Sequence, residues 1–523
     1  MDKQEELPEE VEARPGDDGD GSESGAVPAA ASRTRGGPAP EPGDEQPKPA
    51  SLADTLLSGD GSEQESVAPT DSLSQFLKRT IATLDEPEDS GDQPILPKQP
   101  RTLADVGLSR AFLTDLTLKI IHYSGAPSLA QLTRRLGLGS HIVQLLLSAL
   151  TEERLIEVLS QSDLYTGNYR YRLSERGAQR VAEALERSRY AGPAPVTAEQ
   201  YSEVMRRLQT HKQEFTRARI KNILNELVLA PEVADSVARA LYAAKAAIFY
   251  GPSGNGKTSI LDRFASDVEG VSLIPYAIYA YGQVIRVFDQ SIHEPLEELD
   301  SANMVKDDTK IDRRWVLVKR PAIVLGAEIG QESLDLTYDP QSRFYQAPPH
   351  IKAQGGVLVV DDFGRQKIAA KELLTRWMIP LERGWDTLSL VTGEKLTVPF
   401  SLQLLFGTNI SIKKLADDAP LRRILYKVEI PSPQADEFTE IMRRTCRNKR
   451  VLVEDGALDY VVKRLYSEPD LKPSASYGRD LLDMLIESAS FDGRDPVLDK
   501  DSFDRVFRLF MAKESDGPGD SDD

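Results

Sequence analysis

The chain has 523 residues and carries 83 Asp and Glu against 64 Lys and Arg, a formal net charge of −19. That length has room for about three domains, and the acidity argues against a general coating of nucleic acid. One cysteine, Cys446, excludes an internal disulfide framework and a cysteine-rich zinc site. No apolar run approaches the roughly 18 residues of a membrane span, and the N-terminus lacks an apolar export core, so a soluble, cytoplasmic protein without membrane insertion is expected.

Residues 1–100 hold 23 Asp and Glu, 8 Lys and Arg and 13 of the 33 prolines. Such a segment buries too little apolar surface to offset its ordering entropy, and a disordered acidic tail is expected. Two patches interrupt it, at 51–57 and 72–84. The second sets Leu73, Phe76, Leu77, Ile81 and Leu84 near helical spacing. It reads equally as a docking helix and as a transient helix without a role.

From 107 to 123 the apolar spacing predicts a helix ended by Ser124 and Gly125. A second runs from Ser128 to Leu136, and a third begins with Ser140 as its cap, with Ile142, Val143, Leu145, Leu146, Leu147 and Leu150 as its apolar side. Strand-like stretches at 155–160 and 169–173 follow, then a helix from Ser174 to about Ser188. Three helices, a two-stranded wing and a closing helix resemble a winged-helix domain, assigned to 101–195. The third helix carries His141 but no Lys or Arg, whereas base and phosphate contacts draw mainly on Arg and Lys. Arg134, Arg135, Arg170 and Arg172 keep DNA binding open; protein docking or a structural role is the favoured reading.

Residues 190–196 read as a stiff connector to helices over 198–227 and 231–244. A buried strand, 246–250, then meets Gly251, Pro252, Ser253, Gly254, Asn255, Gly256, Lys257 and Thr258, followed by Ser259 and a helix. Strand, glycine loop and helix in that order form a phosphate-binding loop. Its glycines let backbone N–H groups and the helix N-terminus face a polyphosphate. Lys257 is expected to reach the β- and γ-phosphates and the Thr258 hydroxyl to ligate Mg²⁺.

Alternating strands and helices are expected from 245 to 431, as in a parallel sheet covered on both faces. Within that stretch Tyr279 and Tyr281 are placed on one strand face with Ala277, as sheet packing or as aromatic contacts to polypeptide. The apolar strand at 355–362 ends in Asp361 and Asp362, which it delivers to the carboxyl edge of the sheet. Asp361 is placed to hold Mg²⁺ and Asp362 to polarise the attacking water. A third strand, 404–409, presents Asn409, with Thr408 as a substitute, toward the γ-phosphate or the lytic water. Four helices over 434–447, 454–467, 477–490 and 501–513 make a C-terminal bundle, and 516–523 a disordered end.

The ordered set of phosphate loop, Asp361-Asp362, Thr408-Asn409, Asp417 to Ile424 and Tyr477 to Leu482 resembles the AAA+ ATPases over 215–513. The resemblance implies a P-loop α/β core at 196–433, a helical lid at 434–515 and ATP at a subunit boundary in a homo-oligomer, a ring. It implies Arg422 or Arg423 as the arginine finger and Arg479 as the lid's phosphate sensor. Most members have Glu where this chain has Asp362, whose shorter side chain implies slow hydrolysis. Residues 363–400 are similar to the MoxR-like and related remodelling branches; Trp377 and Trp385 there read as core aromatics. The function implied is an ATPase that remodels a protein partner. A DNA-directed regulator and a slow ATP-sensing scaffold are the alternatives.

Overall fold

The computed structural model describes residues 96–159, 169–210, 217–296, 311–415, 418–468 and 471–515. The tail through residue 95 with both apolar patches, the wing loop 160–168, Asp417 and the last eight residues fall outside them.

Five short apolar strands form one parallel sheet: Ala247–Tyr250, Ala322–Leu325, Val357–Val360, Gln403–Thr408 and Tyr426–Glu429. Numbered in chain order, their spatial order is fifth, first, fourth, third, second. The two-residue period of a strand sorts their side chains into two cores. Ala247, Phe249, Val357, Val359 and Leu405 pack with Ile260, Leu261 and Phe264 of the helix Lys257–Ser266. Ile248, Leu358, Val360, Leu404 and Phe406 pack on the opposite face with Leu373, Leu374 and Trp377 of the helix Ala370–Arg383. Trp377 is therefore a core aromatic, as its sequence setting indicated. The class is α/β with a parallel core sheet.

The simple alternation expected from 245 to 431 does not hold. Between the helix Lys257–Ser266 and the second core strand, the chain builds a separate β layer. Val271–Pro275 pairs antiparallel with Trp315–Lys319, and Ala277–Ala280 with Gln283–Arg286. The latter pair is a hairpin whose two turn residues, Tyr281 and Gly282, both have positive φ, 50° and 78°, as a tight primed turn requires. Tyr281 is thus a turn residue and not a strand neighbour of Tyr279. Its hydroxyl donates to the Lys395 carbonyl in a second hairpin, Trp385–Ser389 with Lys395–Pro399.

The N-terminal part forms helices Leu103–Val106, Arg110–Ser124, Leu129–Leu136 and Ser140–Glu152, the antiparallel pair Ile156–Leu159 and Arg170–Leu173, and the helix Glu175–Arg187. Two local expectations shift. Gly107 closes a short preceding helix in left-handed conformation (φ 76°), and Ser109 caps the next. Ser140 is the first helical residue, with Gly139 at the cap position and no side-chain cap bond. The expected helix over 198–227 is likewise two helices, Ala198–Thr210 and Arg217–Asn225.

This helical part is joined to the β layer by a continuous core. Tyr279 sets its ring 4.6 Å from that of Phe112, and Tyr190 packs edge-on against Phe344 at 5.8 Å. The connector at 190–196 is built in as well. The Ala194 N–H donates to the Leu136 carbonyl, and Val196 pairs with Ile278 at the sheet edge. Even the end of the acidic tail is ordered: Leu96 is buried in the core of the β layer, and Gln99 bonds Gly137 and Arg313.

The C-terminal helices Ala435–Lys449, Ala457–Tyr466, Ala475–Phe491 and Lys500–Ser515 follow the sequence reading closely and enclose a core of Phe438, Val461, Leu482 and Phe503. No helix among the described residues is long and apolar enough to cross a membrane.

Candidate active site

The order of the core strands reverses about the first strand, and the crevice at the carboxyl edge of such a switch is where open α/β sheets bind ligands. The glycine loop leaves the first strand there. Gly251, Gly254 and Gly256 have φ of 142°, 76° and 86°, and the helix begins at Lys257 with Gly256 as its cap residue. A side chain at Gly251 would strike the Ile430 carbonyl, whereas a Cβ at Gly256 meets nothing within 4 Å. One glycine permits close backbone approach and the other borders open space.

Lys257 is buried, and its ammonium donates to the Gly251 carbonyl at 2.9 Å and the Pro252 carbonyl at 2.7 Å. Burial lowers its pKa below the usual lysine range, while the charges of Asp361 and Asp362 pull it back up. The cation therefore senses both carboxylates at the tip of the third strand. Pro252, Ser253, Gly254, Thr258 and Ser259 are exposed along the loop and first helical turn.

Asp361 follows the third strand and donates its backbone N–H to the Leu325 carbonyl. Room for its carboxylate comes from Gly407 on the fourth strand, where a Cβ would stand 2.6 Å from Asp361 Oδ1 and 2.7 Å from Leu261 Cδ1. Asp362 is exposed and sits in the left-handed region at φ 46°. Asp tolerates that region better than Glu, because its short side chain bonds locally. The left-handed backbone is thus a local reason for Asp rather than Glu at this position. Asn409 Nδ2 lies 3.4 Å from Asp362 Oδ1, so the tips of the third and fourth strands meet. Thr408 does not serve as a substitute for Asn409. Its buried hydroxyl donates to the Phe363 carbonyl at 2.6 Å and accepts from the Ile410 N–H.

Sequence reasoning missed Asp262, Gly407 and Gln366. Burial and the charge of Asp361 both raise the pKa of Asp262. The signal was present, since Asp262 lies one turn beyond Thr258 on the same helix face. Among the described residues no three His, Cys, Asp or Glu side chains gather as a metal site. A hydroxyl from Thr258, the Asp361 carboxylate and phosphate oxygens would not need a third such group.

The C-terminal region touches the glycine loop directly. The N–H of Ala475 donates to Asn255 Oδ1 at 3.0 Å, that of Ser476 to the Gly254 carbonyl at 2.9 Å, and Asn255 Nδ2 reaches Ser432. Arg479 lies one turn along the helix Ala475–Phe491, exposed and paired with Asp480 at 3.2 Å. The structure separates the two remaining arginines. Arg423 is held by Glu382 through two bonds of 3.1 Å. Arg422 is exposed and makes no ion pair among the described residues.

A family model described as a domain of unknown function (DUF8689) matches residues 434–509, the C-terminal helices alone. A search of the curated proteins finds no match. Among solved structures, RuvB of Thermotoga maritima, described as a Holliday junction branch migration motor, is 16% identical with a TM-score of 0.31, over 53% of this chain and 68% of that one. A point mutant of the same protein gives 14% and 0.32, over 54% and 70%. NtrX from Brucella abortus in complex with ATP is 11% identical with a TM-score of 0.33, over 65% of this chain and 66% of that one.

Proposed function

We propose that this chain is an AAA+ protein that binds and hydrolyses ATP and works as a homo-oligomer, a ring, on a protein partner, in the manner of the MoxR-like branch. The observation that carries the reading is the meeting of Lys257, Asp361, Asp362 and Asn409 around a glycine loop at the switch point of a parallel sheet. In this reading residues 251–259 cradle the phosphates, and Lys257 leaves the Gly251 and Pro252 carbonyls for the β- and γ-phosphates. Asp362 orients the attacking water and takes its proton, and Asn409 holds that carboxylate or the water in place. Mg²⁺, held by Thr258 and Asp361, would neutralise charge on the phosphates; the field of Asp361 that raises the Asp262 pKa suits a divalent cation.

Arg422 is the finger in this reading, because Arg423 already has a partner in its own chain. Ile379 and Leu425, 50% and 65% exposed, lie within three residues of Glu382 and Arg423 and supply apolar surface to a neighbouring copy. Arg479 reads the phosphates from the lid. The N-terminal helices form a winged-helix domain that docks protein: the exposed face of its third helix is His141, Gln144, Leu145 and Ser148. The wing arginines are engaged, Arg170 by the Ala126 carbonyl and Arg172 by Glu157.

Titration calorimetry with Mg-ATP tests the core claim. Binding by the wild type, loss in Lys257→Ala, and a trapped but uncleaved nucleotide in Asp362→Asn are expected. No heat with the wild-type chain would sink the reading. Full function in Asp362→Asn would replace the motor with an ATP-sensing scaffold. A salt-sensitive mobility shift on duplex DNA is expected to show no tight complex.

A further inference from the structure

The turn that carries Asp361 and Asp362 is held by a side chain with no part in the assignments above. Gln366 Nε2 donates to the Asp361 carbonyl at 2.9 Å, the Asp362 carbonyl at 3.2 Å and the Gly326 carbonyl at 3.4 Å. Its Oε1 accepts from the Gly364 N–H at 2.7 Å. Carbonyls face one end of the amide and an N–H the other, so a single orientation satisfies the group. On the far side of the turn, the Phe363 N–H donates to the Gly407 carbonyl and the Phe363 carbonyl accepts from Thr408.

These bonds surround the residue that is costly to hold. Asp362 has φ 46° and is exposed, and the 3.4 Å approach of Asn409 Nδ2 to its carboxylate is too long to fix its backbone. A non-glycine residue keeps a left-handed conformation only where its surroundings over-determine it. Here the fixing groups are the Gln366 amide, which also ties in Gly326 at the tip of the second strand, and the fourth strand.

We propose that Gln366 is a positioning residue for hydrolysis, holding the 361–364 turn in the left-handed form that aims the Asp362 carboxylate. The proposal rests on the reading of this site as an ATPase centre. Gln366 touches no reacting atom. Its loss lets the turn relax, so that Asp362 spends less time where it can act on water. The glycine loop and Lys257 follow the first strand, on a separate segment of the chain, and keep their geometry. Turnover should fall while nucleotide binding survives.

The test uses the full-length chain with Gln366→Met, which keeps the length and removes every side-chain hydrogen bond, and Gln366→Glu, which keeps the acceptor and sets a carboxylate against three carbonyls. Single-turnover hydrolysis of Mg-ATP, the dissociation constant of Mg-ATP and the thermal midpoint are measured for each. The rate is expected to fall tenfold or more in both, with the dissociation constant within threefold of wild type and the midpoint little changed. A wild-type rate in both variants overturns the proposal. So does a parallel loss of rate, affinity and thermal midpoint, which would make Gln366 general support for the fold. Failure of the site reading looks different: the wild-type chain itself binds no Mg-ATP.

Discussion

Replacing Gly407 by alanine adds one methyl group at the most crowded point beneath the site. The new Cβ would lie 2.6 Å from Asp361 Oδ1 and 2.7 Å from Leu261 Cδ1, against the 3.4–4 Å of ordinary contact. Each neighbour must yield by about 1 Å, and they differ in their freedom to do so. Leu261 is fully buried in the core beneath the helix Lys257–Ser266, whereas Asp361 is half-buried at a strand end. The carboxylate moves first. Overpacking of this kind costs about 1–3 kcal/mol, and a displacement of about 1 Å in a reacting constellation can cost about a hundredfold in rate. Gly407→Ala is therefore expected to lower stability by about 1–3 kcal/mol in urea and to cut turnover by one to two orders of magnitude. The discriminating assay is a double-mutant cycle with Asp361→Ala. Removing the carboxylate clears one of the two clashes, so the cost of Gly407→Ala should shrink by at least about 0.5 kcal/mol. An equal cost in both backgrounds, or unchanged Mg-ATP binding and turnover in the single variant, would refute the placement of Asp361 against Gly407.

Two further outcomes follow from other parts of the chain. Burial lowers the Lys119 pKa to about 8, offset in part by Asp115 and reinforced by Arg187. Below that value the folded chain holds a proton against the burial penalty, so stability should rise with pH from about 8 toward 10.5 as the folded lysine discharges before the unfolded one. Lys119→Met should flatten that slope, which denaturation midpoints across the range would show, less about 1 kcal/mol for the lost bond to the Ser188 carbonyl. Arg422→Ala should leave the thermal midpoint alone and abolish turnover only in the assembled protein, whereas Arg423→Ala should cost about 0.2–1 kcal/mol through Glu382. The reverse pattern would reassign the finger.

What was legible in the sequence was whatever depends on a local pattern. The strand, glycine loop and helix at 246–266 announce themselves through glycine spacing and an apolar run, and the four C-terminal helices through their period. Asp361 and Asn409 were legible because a buried strand has only one place to deliver its last residue. The β layer escaped for a different reason. Its strands are short and pair with partners from 196 to 346, so little within any one strand marks it as outside the core sheet. Tyr281-Gly282 was the available signal, a two-residue turn between alternating runs. Gly407 and Gln366 were illegible in principle. The demand for a hydrogen at one and an amide at the other arises only when strands distant in sequence lie side by side.

The helical part is tied to the β layer by a buried ion pair, and that attachment has a measurable consequence. Arg314 and Asp312 side chains are 3% and 2% exposed. Arg314 Nη2 donates to Asp312 Oδ2 at 2.8 Å, and Nη1 donates to the Val106 carbonyl at 2.9 Å. The guanidinium thus closes a bond to the helix Leu103–Val106 while its charge is neutralised within the β layer. Arg314→Met leaves Asp312 buried without its cation and the Val106 carbonyl without this donor; breaking such a pair costs about 3–5 kcal/mol. The loss should appear as faster amide exchange across the seam, at Val106, Ala194 and Val196, before it appears in the core sheet. Replacing both partners, Asp312→Leu with Arg314→Met, should recover most of that loss, because no charge is then left alone. If the single variant is nearly as stable as wild type and its seam amides exchange no faster, the helical part is not fixed by this pair.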